Sequence, residues 1–190
     1  PPLRRVNRVF EHLGTIALTM WRVARIAILT ASDKGAAGDR EDASGDLAER
    51  RCREGGHDVV ARAIVADDRE AIAAKLREWA DAELADWVIT TGGTGLTERD
   101  VTPEATRDVA ERDVPGVPVA LWLEGLKKTP FAVLSRGIAV QRRKTVIVNL
   151  PGSPKAVAEG MDVLLPLFPH GTRLIAGPME HVTPADSGRE

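Results

Sequence analysis

The apolar runs of this chain end, one after another, in polar segments rich in glycine and aspartate. That coupling constrains the fold more than any other feature. Residues 25–30 (RIAILT) are β-branched and apolar, read as a strand, and open into Ser32-Asp33-Lys34. Residues 58–65 read as a second strand, followed by Asp67-Asp68, and residues 87–91 as a third that runs directly into Gly92-Gly93-Thr94-Gly95. Residues 145–150 form a fourth, leading into the segment Asn149 to Ser153. Helical patterns lie between them. Asp42 or Ser44 caps a helix that reaches about Glu54 and stops at Gly55-Gly56. Asp67 or Asp68 caps a second, with Ile72, Leu76, Trp79 and Ala80 on one face. Thr102-Pro103-Glu104 starts a third with Thr102 as N-cap, and Ser153-Pro154-Lys155 a fourth, with Val157, Met161, Leu164 and Leu165 on one face, broken by Pro166 and Pro169. Residues 129–135 read as a further strand that pairs with 145–150 in a hairpin, with Gln141-Arg142-Arg143-Lys144 as a solvated basic turn between them. The alternation predicts an α/β fold of three layers: a mainly parallel sheet, helices on both faces, and a hairpin at its edge. If the strands run parallel, the polar loops share the rim at their carboxyl ends, where such sheets bind ligands.

The chain has 190 residues, enough for one α/β domain that needs no disulfide or metal staple. A net charge of −2 excludes a strongly basic nucleic-acid binder, and no apolar run approaches the ~20 residues of a membrane span. The single cysteine, Cys52, excludes a disulfide framework within the chain, and the expected compartment is a reducing cytoplasm. Residues 1–19 read as a leader or appended extension before a natural start at Met20, residues 20–177 as the α/β domain, and residues 178–190, rich in Pro, Gly, Asp and Glu, as a flexible tail.

Chemistry has few other places to reside. His12, His57, His170 and His181 are scattered without metal-ligand spacing. Cys52 reads as a small packed residue, and Ser32, Ser44 and Ser153 lack the context of a catalytic triad. The loop Thr91 to Gly95 can turn its amides inward around an anion, but it lacks the lysine of a phosphate-binding Walker loop and does not open directly into a helix. Asp67, Asp68 and Asp100 lie on the same rim, where each could also serve only as a cap or turn residue. Electrostatics separates the alternatives. A carboxylate ~6 Å from a phosphate oxygen costs about 3 kcal/mol per unit charge at an effective dielectric near 20. Acids beside a phosphate nest make sense when a divalent cation such as Mg²⁺ lies between them and the phosphates. Lys34, Arg40, Arg99, Arg136 and Lys155 supply positive charge in or beside the loops.

The run from Thr90 to Thr106 (TTGGTGLTERDVTPEAT) resembles the signature of the molybdopterin-binding family that includes bacterial molybdopterin adenylyltransferases and the gephyrin G domain. Thr30 to Gly35, with Gly38, Arg40, Glu41, Asp42, Ser44 and Gly45, is similar to that family's first loop, and Asn149 to Ala156 (NLPGSPKA) to its last; the likeness covers about residues 22–176. The resemblance implies adenylyl transfer from Mg-ATP to the terminal phosphate of molybdopterin, a homotrimer, and a place in molybdenum cofactor biosynthesis beside a molybdenum insertion protein. It also implies that Asp67 and Asp100 serve catalysis and the metal. Substrate binding would fall to Ser32, Asp33, Thr91, Gly92, Gly93, Thr94, Gly95, Asn149, Pro151, Gly152, Ser153 and Lys155. The alternative within the same fold is a non-catalytic molybdopterin carrier or trimeric scaffold. The chain departs from the family at Ala66, where relatives usually have Pro, and near Val140 and Arg143, where they tend toward glycine.

Overall fold

The computed structural model describes residues 23–177, so the leader and tail assigned above lie outside the described residues. Six strands form one sheet: β1 (Arg25–Ala31), β2 (Asp58–Val65), β3 (Trp87–Thr91), β4 (Arg112–Asp113), β5 (Ala139–Arg142) and β6 (Thr145–Leu150), in the order β2-β1-β3-β6-β5-β4. The pairs β1–β2, β1–β3 and β3–β6 are parallel, and β5 runs antiparallel to β6 and to β4. Every residue of β3 and β6 is buried, as is β1 after Arg25, whereas β2 alternates as an edge strand does.

The two-residue period of the strands divides the core. Ile26 and Ile28 of β1 face one cluster with Trp87, Ile89, Met161, Leu164 and Phe168; Ala27, Leu29 and Ala31 face the other with Ile72, Leu76, Trp79 and Val88. Helices α2 (Ala43–Glu54), α5 (Gly116–Leu126), α6 (Pro154–Leu164) and α7 (Phe168–Ala176) contribute side chains to the first face. Helices α3 (Arg69–Asp81) and α4 (Thr102–Asp108) contribute to the second. A single turn, α1 (Asp33–Ala36), follows β1. The expected three-layer α/β architecture is therefore present.

Several local expectations are corrected. Residues 129–135 do not form a strand. Thr129 caps Phe131 N–H, Pro130 opens the turn, and Pro130–Leu134 is a 3-10 helix, since a proline-led run of Phe, Ala, Val and Leu offers an incomplete set of ladder donors. The edge hairpin exists, but its first strand is β5, so Gln141 and Arg142 belong to the sheet and only Arg143-Lys144 make the turn. Arg142 is not solvated: its Nε and a terminal nitrogen each lie 2.9 Å from the Asp81 carboxylate. Arg143 takes a positive φ of 49°, the left-handed conformation glycine adopts at least cost. Thr102 begins α4 rather than capping it; its hydroxyl is buried without a partner. Pro169 opens α7 at its first turn instead of ending a helix. Of the alternative caps, Asp42 accepts from Gly45 N–H at 2.9 Å and Asp68 from Ala71 N–H at 2.8 Å.

His57 bridges the residue before β1 and the first residue of α7. Its Nδ1 accepts from Ala24 N–H at 3.3 Å, and its ring meets Phe168 edge-on at 5.3 Å. Burial lowers its pKa, opposed by the nearby Asp58 charge. The unfolded chain therefore binds the proton more readily than the folded one, so stability falls as pH drops below about 6.5. The urea midpoint of the natural chain should decrease from pH 7.5 to pH 5.5 by more than that of His57→Phe. Equal pH dependence in the two proteins would refute this.

Candidate active site

Because β1, β2, β3 and β6 are parallel, the loops that follow them meet at one edge, as their polarity suggested. The loop after β3 opens with two glycines. Gly92 and Gly93 have φ of 92° and 62°, conformations that a side chain adopts only with strain. Their missing Cβ atoms also permit close approach. A Cβ on Gly92 would collide with the Ala31 carbonyl oxygen, and one on Gly93 with the Thr102 hydroxyl. The loop after β6 presses against it: a Cβ on Gly152 would stand 3.2 Å from Gly92 Cα, and Gly152 accepts a 2.6 Å hydrogen bond from Ser44 on α2.

Two clefts open on either side of this crossing. The first, about 470 Å³, is polar and is walled by Thr30 to Ser32, residues 40–44, Asp67, Arg99, Asp100 and residues 152–154. The second, about 670 Å³, is mainly apolar and is walled by Thr94 to Leu96, by Pro118, Leu121 and Trp122 of α5, by Phe131 and Leu134, and by the segment 149–152. Gly93, Asp100 and Gly152 belong to both walls. Both volumes lie in the range of ligand sites.

The two acids expected to carry chemistry line the same polar cleft. Asp67 is not a cap. Its Oδ2 accepts from Asp33 N–H at 3.0 Å, its own N–H donates to Asp33 Oδ1 at 3.0 Å, and its Oδ1 faces Gly93, where a Cβ would stand 3.4 Å away. Desolvation raises its pKa, helped by the charges of Asp33 and Asp100 and opposed by the Asp33 N–H and Arg99. Asp100 lies over Gly95 and accepts from Thr97 N–H at 2.9 Å and Thr97 Oγ1 at 2.6 Å. Desolvation works against its charge, but the Thr97 and Gly95 donors and the Arg136 charge outweigh it and hold its pKa below the ordinary carboxylate value. Arg136 fixes this side of the loop: its Nε donates to Gly95 O at 2.6 Å, and its terminal nitrogens reach Asp100 O and pair with Glu104.

The other expected residues divide by role. Thr91 and Gly92 line the polar cleft; Thr94, Gly95, Asn149 and Pro151 line the apolar one, and Gly93 and Gly152 line both. Ser32 and Ser153 line the polar cleft while capping helices, accepting from Gly35 and Ala156 N–H. Asn149 stands on the cleft wall with its side chain engaged inward: Nδ2 donates to Thr90 and Thr106 hydroxyls at 3.0 and 2.9 Å, and Oδ1 accepts from Ile138 N–H. Asp33 sits at the rim, paired with Arg99, and Lys155 is exposed and lines neither cleft. Cys52 is packed in the core, its thiol pushed up to about 12 by burial. Sequence reasoning missed the apolar wall made by α5 and the 3-10 turn. The available signal was the run Val117 to Leu123, apolar on every side, where a surface helix would show a polar face.

A match to the family described as "Probable molybdopterin binding domain" extends over residues 27–170, nearly all of this framework. The chain belongs to that family. Among its relatives, the chain is 39% identical over 154 residues to a molybdopterin adenylyltransferase of Helicobacter pylori, covering 80% of this chain and 88% of that one. It is 46% identical over 112 residues to the molybdenum cofactor synthesis protein cinnamon of Drosophila melanogaster, covering 59% of this chain but only 19% of that longer protein. The crystal structure of the molybdopterin biosynthesis enzyme MoaB from Thermus thermophilus superimposes with a TM-score of 0.76 at 46% identity, over 82% of this chain and 98% of that one. The family match thus spans both clefts and the loops between them.

Proposed function

We propose that this member of the molybdopterin-binding family transfers the adenylyl group of Mg-ATP to the terminal phosphate of molybdopterin in molybdenum cofactor biosynthesis. A phosphate oxygen of molybdopterin bonds to the α-phosphorus of ATP. The bond from that phosphorus to the bridging oxygen breaks, and pyrophosphate leaves with the electron pair. The observation that carries the reading is the meeting of an apolar and a polar cleft at Gly93, Asp100 and Gly152. The apolar cleft, with Trp122 and Phe131 in its wall, suits a flat ring system. The polar cleft suits nucleotide phosphates, and the glycine crossing lets the two substrates approach for in-line displacement.

The donor set fits a divalent cation bound with phosphate. Asp67 Oδ1 and the Asp100 carboxylate face the same glycine loop, and among the described residues no group of three or more acids, histidines or cysteines could enclose a metal alone. Two carboxylates with substrate oxygens and water completing the shell is the usual arrangement for Mg²⁺. When bound, the cation would neutralise charge between the acids and the phosphates. Asp67 and Asp100 would hold it, Arg136 would keep Asp100 in place, and the loop amides would orient the phosphate.

We also propose the homotrimer implied by the family resemblance, with a molybdenum insertion protein as recipient of the product. Exposed Val119, Leu123 and Leu126 on α5, with Phe131, provide apolar area for subunit contact. Incubating the purified chain with molybdopterin and Mg-ATP should release pyrophosphate in step with adenylated molybdopterin. Binding of molybdopterin without pyrophosphate release would replace the enzyme by a carrier.

A further inference from the structure

Charges of both signs line the polar cleft. Glu41, Asp42, Asp67 and Asp100 line it, against Arg40 and Arg99. Two other guanidinium groups near the loops are already committed. Arg136 is anchored on Gly95, Asp100 and Glu104, and Arg62 is held among Asp42, Asp46 and Glu49. Arg99 is different. It pairs with Asp33, 66 residues away in sequence, and so spans from the glycine loop to the loop after β1. The two side chains are 65% and 47% exposed, so the pair is screened by solvent and easily exchanged. Its two members are unequal: Asp33 is fixed by reciprocal hydrogen bonds with Asp67, both 3.0 Å, while Arg99 has a long free stem on an exposed turn.

We propose that Arg99 exchanges Asp33 for the departing pyrophosphate of the nucleotide, making it a phosphate-binding residue that Asp33 holds in waiting at the edge of the polar cleft. This rests on the adenylyl-transfer reading. Arg99 lines the same cleft wall as Asp67 and Asp100, and the leaving pyrophosphate gathers negative charge as the bridging bond breaks. A planar guanidinium matches two phosphate oxygens at once, and its hydrogen bonds to them are charge-assisted. Asp33 offers a single oxygen to it, the other accepting from Asp67 N–H.

The proposal predicts changes of opposite sign for the two partners, which a purely structural ion pair would not give. Titration of the full chain with inorganic pyrophosphate and Mg²⁺ at low salt should show Arg99→Ala binding about tenfold more weakly. Asp33→Asn should bind about threefold more tightly, because it releases Arg99 while keeping an oxygen for Asp67 N–H. The gain should vanish in the double variant. Arg99→Lys should fall between the natural chain and Arg99→Ala. In turnover, Arg99→Ala should raise the KM for ATP and leave that for molybdopterin unchanged. Unaltered pyrophosphate affinity in Arg99→Ala, or weaker binding in both single variants, would overturn the proposal even if the natural chain turns over. A natural chain that binds pyrophosphate with these signs but never releases it from ATP would instead overturn the adenylyl-transfer reading.

Discussion

Asp100→Asn should lower the rate of pyrophosphate release by about two to three orders of magnitude, the usual loss when a charged group serving the transition state is removed. Molybdopterin affinity should remain within about twofold, since ordinary surface-loop substitutions of equal shape perturb structure little. The separation follows from the geometry. Asparagine has the size of aspartate and can still accept from Thr97, which donates through both its N–H and its hydroxyl. The loop therefore keeps its shape. What disappears is the negative charge that Thr97, Gly95 and Arg136 maintain against desolvation. Without it, Asp67 alone would face the cation, and Asp67 is the acid whose ionised form burial disfavours. Stopped assays with molybdopterin and Mg-ATP, paired with direct binding of molybdopterin, distinguish the two effects. Full activity in Asp100→Asn would remove the metal-acid role.

Gly92→Ala should be the most damaging single methyl group in the site. A left-handed backbone costs a residue with a side chain roughly 1–2 kcal/mol. Here the new Cβ would also collide with the Ala31 carbonyl, a backbone atom held in the sheet that cannot swing away. A loss of about 3 kcal/mol or more is expected, read as a lower urea midpoint. Turnover should fall by about a hundredfold even where the chain remains folded, because a shift near 1 Å spoils alignment of the reacting groups. Gly38→Ala is the control. Its φ of 81° carries the same backbone strain, but nothing lies within 4 Å of the added carbon and it lines neither cleft. It should lose stability modestly and keep its rate. Equal loss of activity in both variants would show that strain, not the close approach, matters at Gly92.

Much of this candidate site is legible in the sequence. The Thr91 to Gly95 loop, Asp67-Asp68 and the last loop follow strands directly, and that local rule put them on one rim; the choice of Asp67 and Asp100 as the acids came from the family resemblance. Local signals failed where a neighbour decides. Residues 129–135 have the composition of a strand, yet no partner strand receives them and Pro130 turns them into a 3-10 helix. Arg142 resembles a solvated turn residue until β5 pairs with β6 and brings it to Asp81. Asn149 lines the apolar cleft, but that its amide turns inward to Thr90 and Thr106 is decided by the neighbouring strand and helix.

The chain's own order of residues determined the layered α/β class, the shared rim and the acids upon it, because strand period, helix caps and glycine conformations act over a few neighbouring residues. Only the tertiary structure decided that the rim divides into a polar and an apolar cleft, that Asp67 leans on Asp33 while Asp68 caps a helix, and that Arg99 reaches across. Those outcomes depend on contacts between segments far apart in the chain, whose positions are set by packing of the whole core rather than by any one segment.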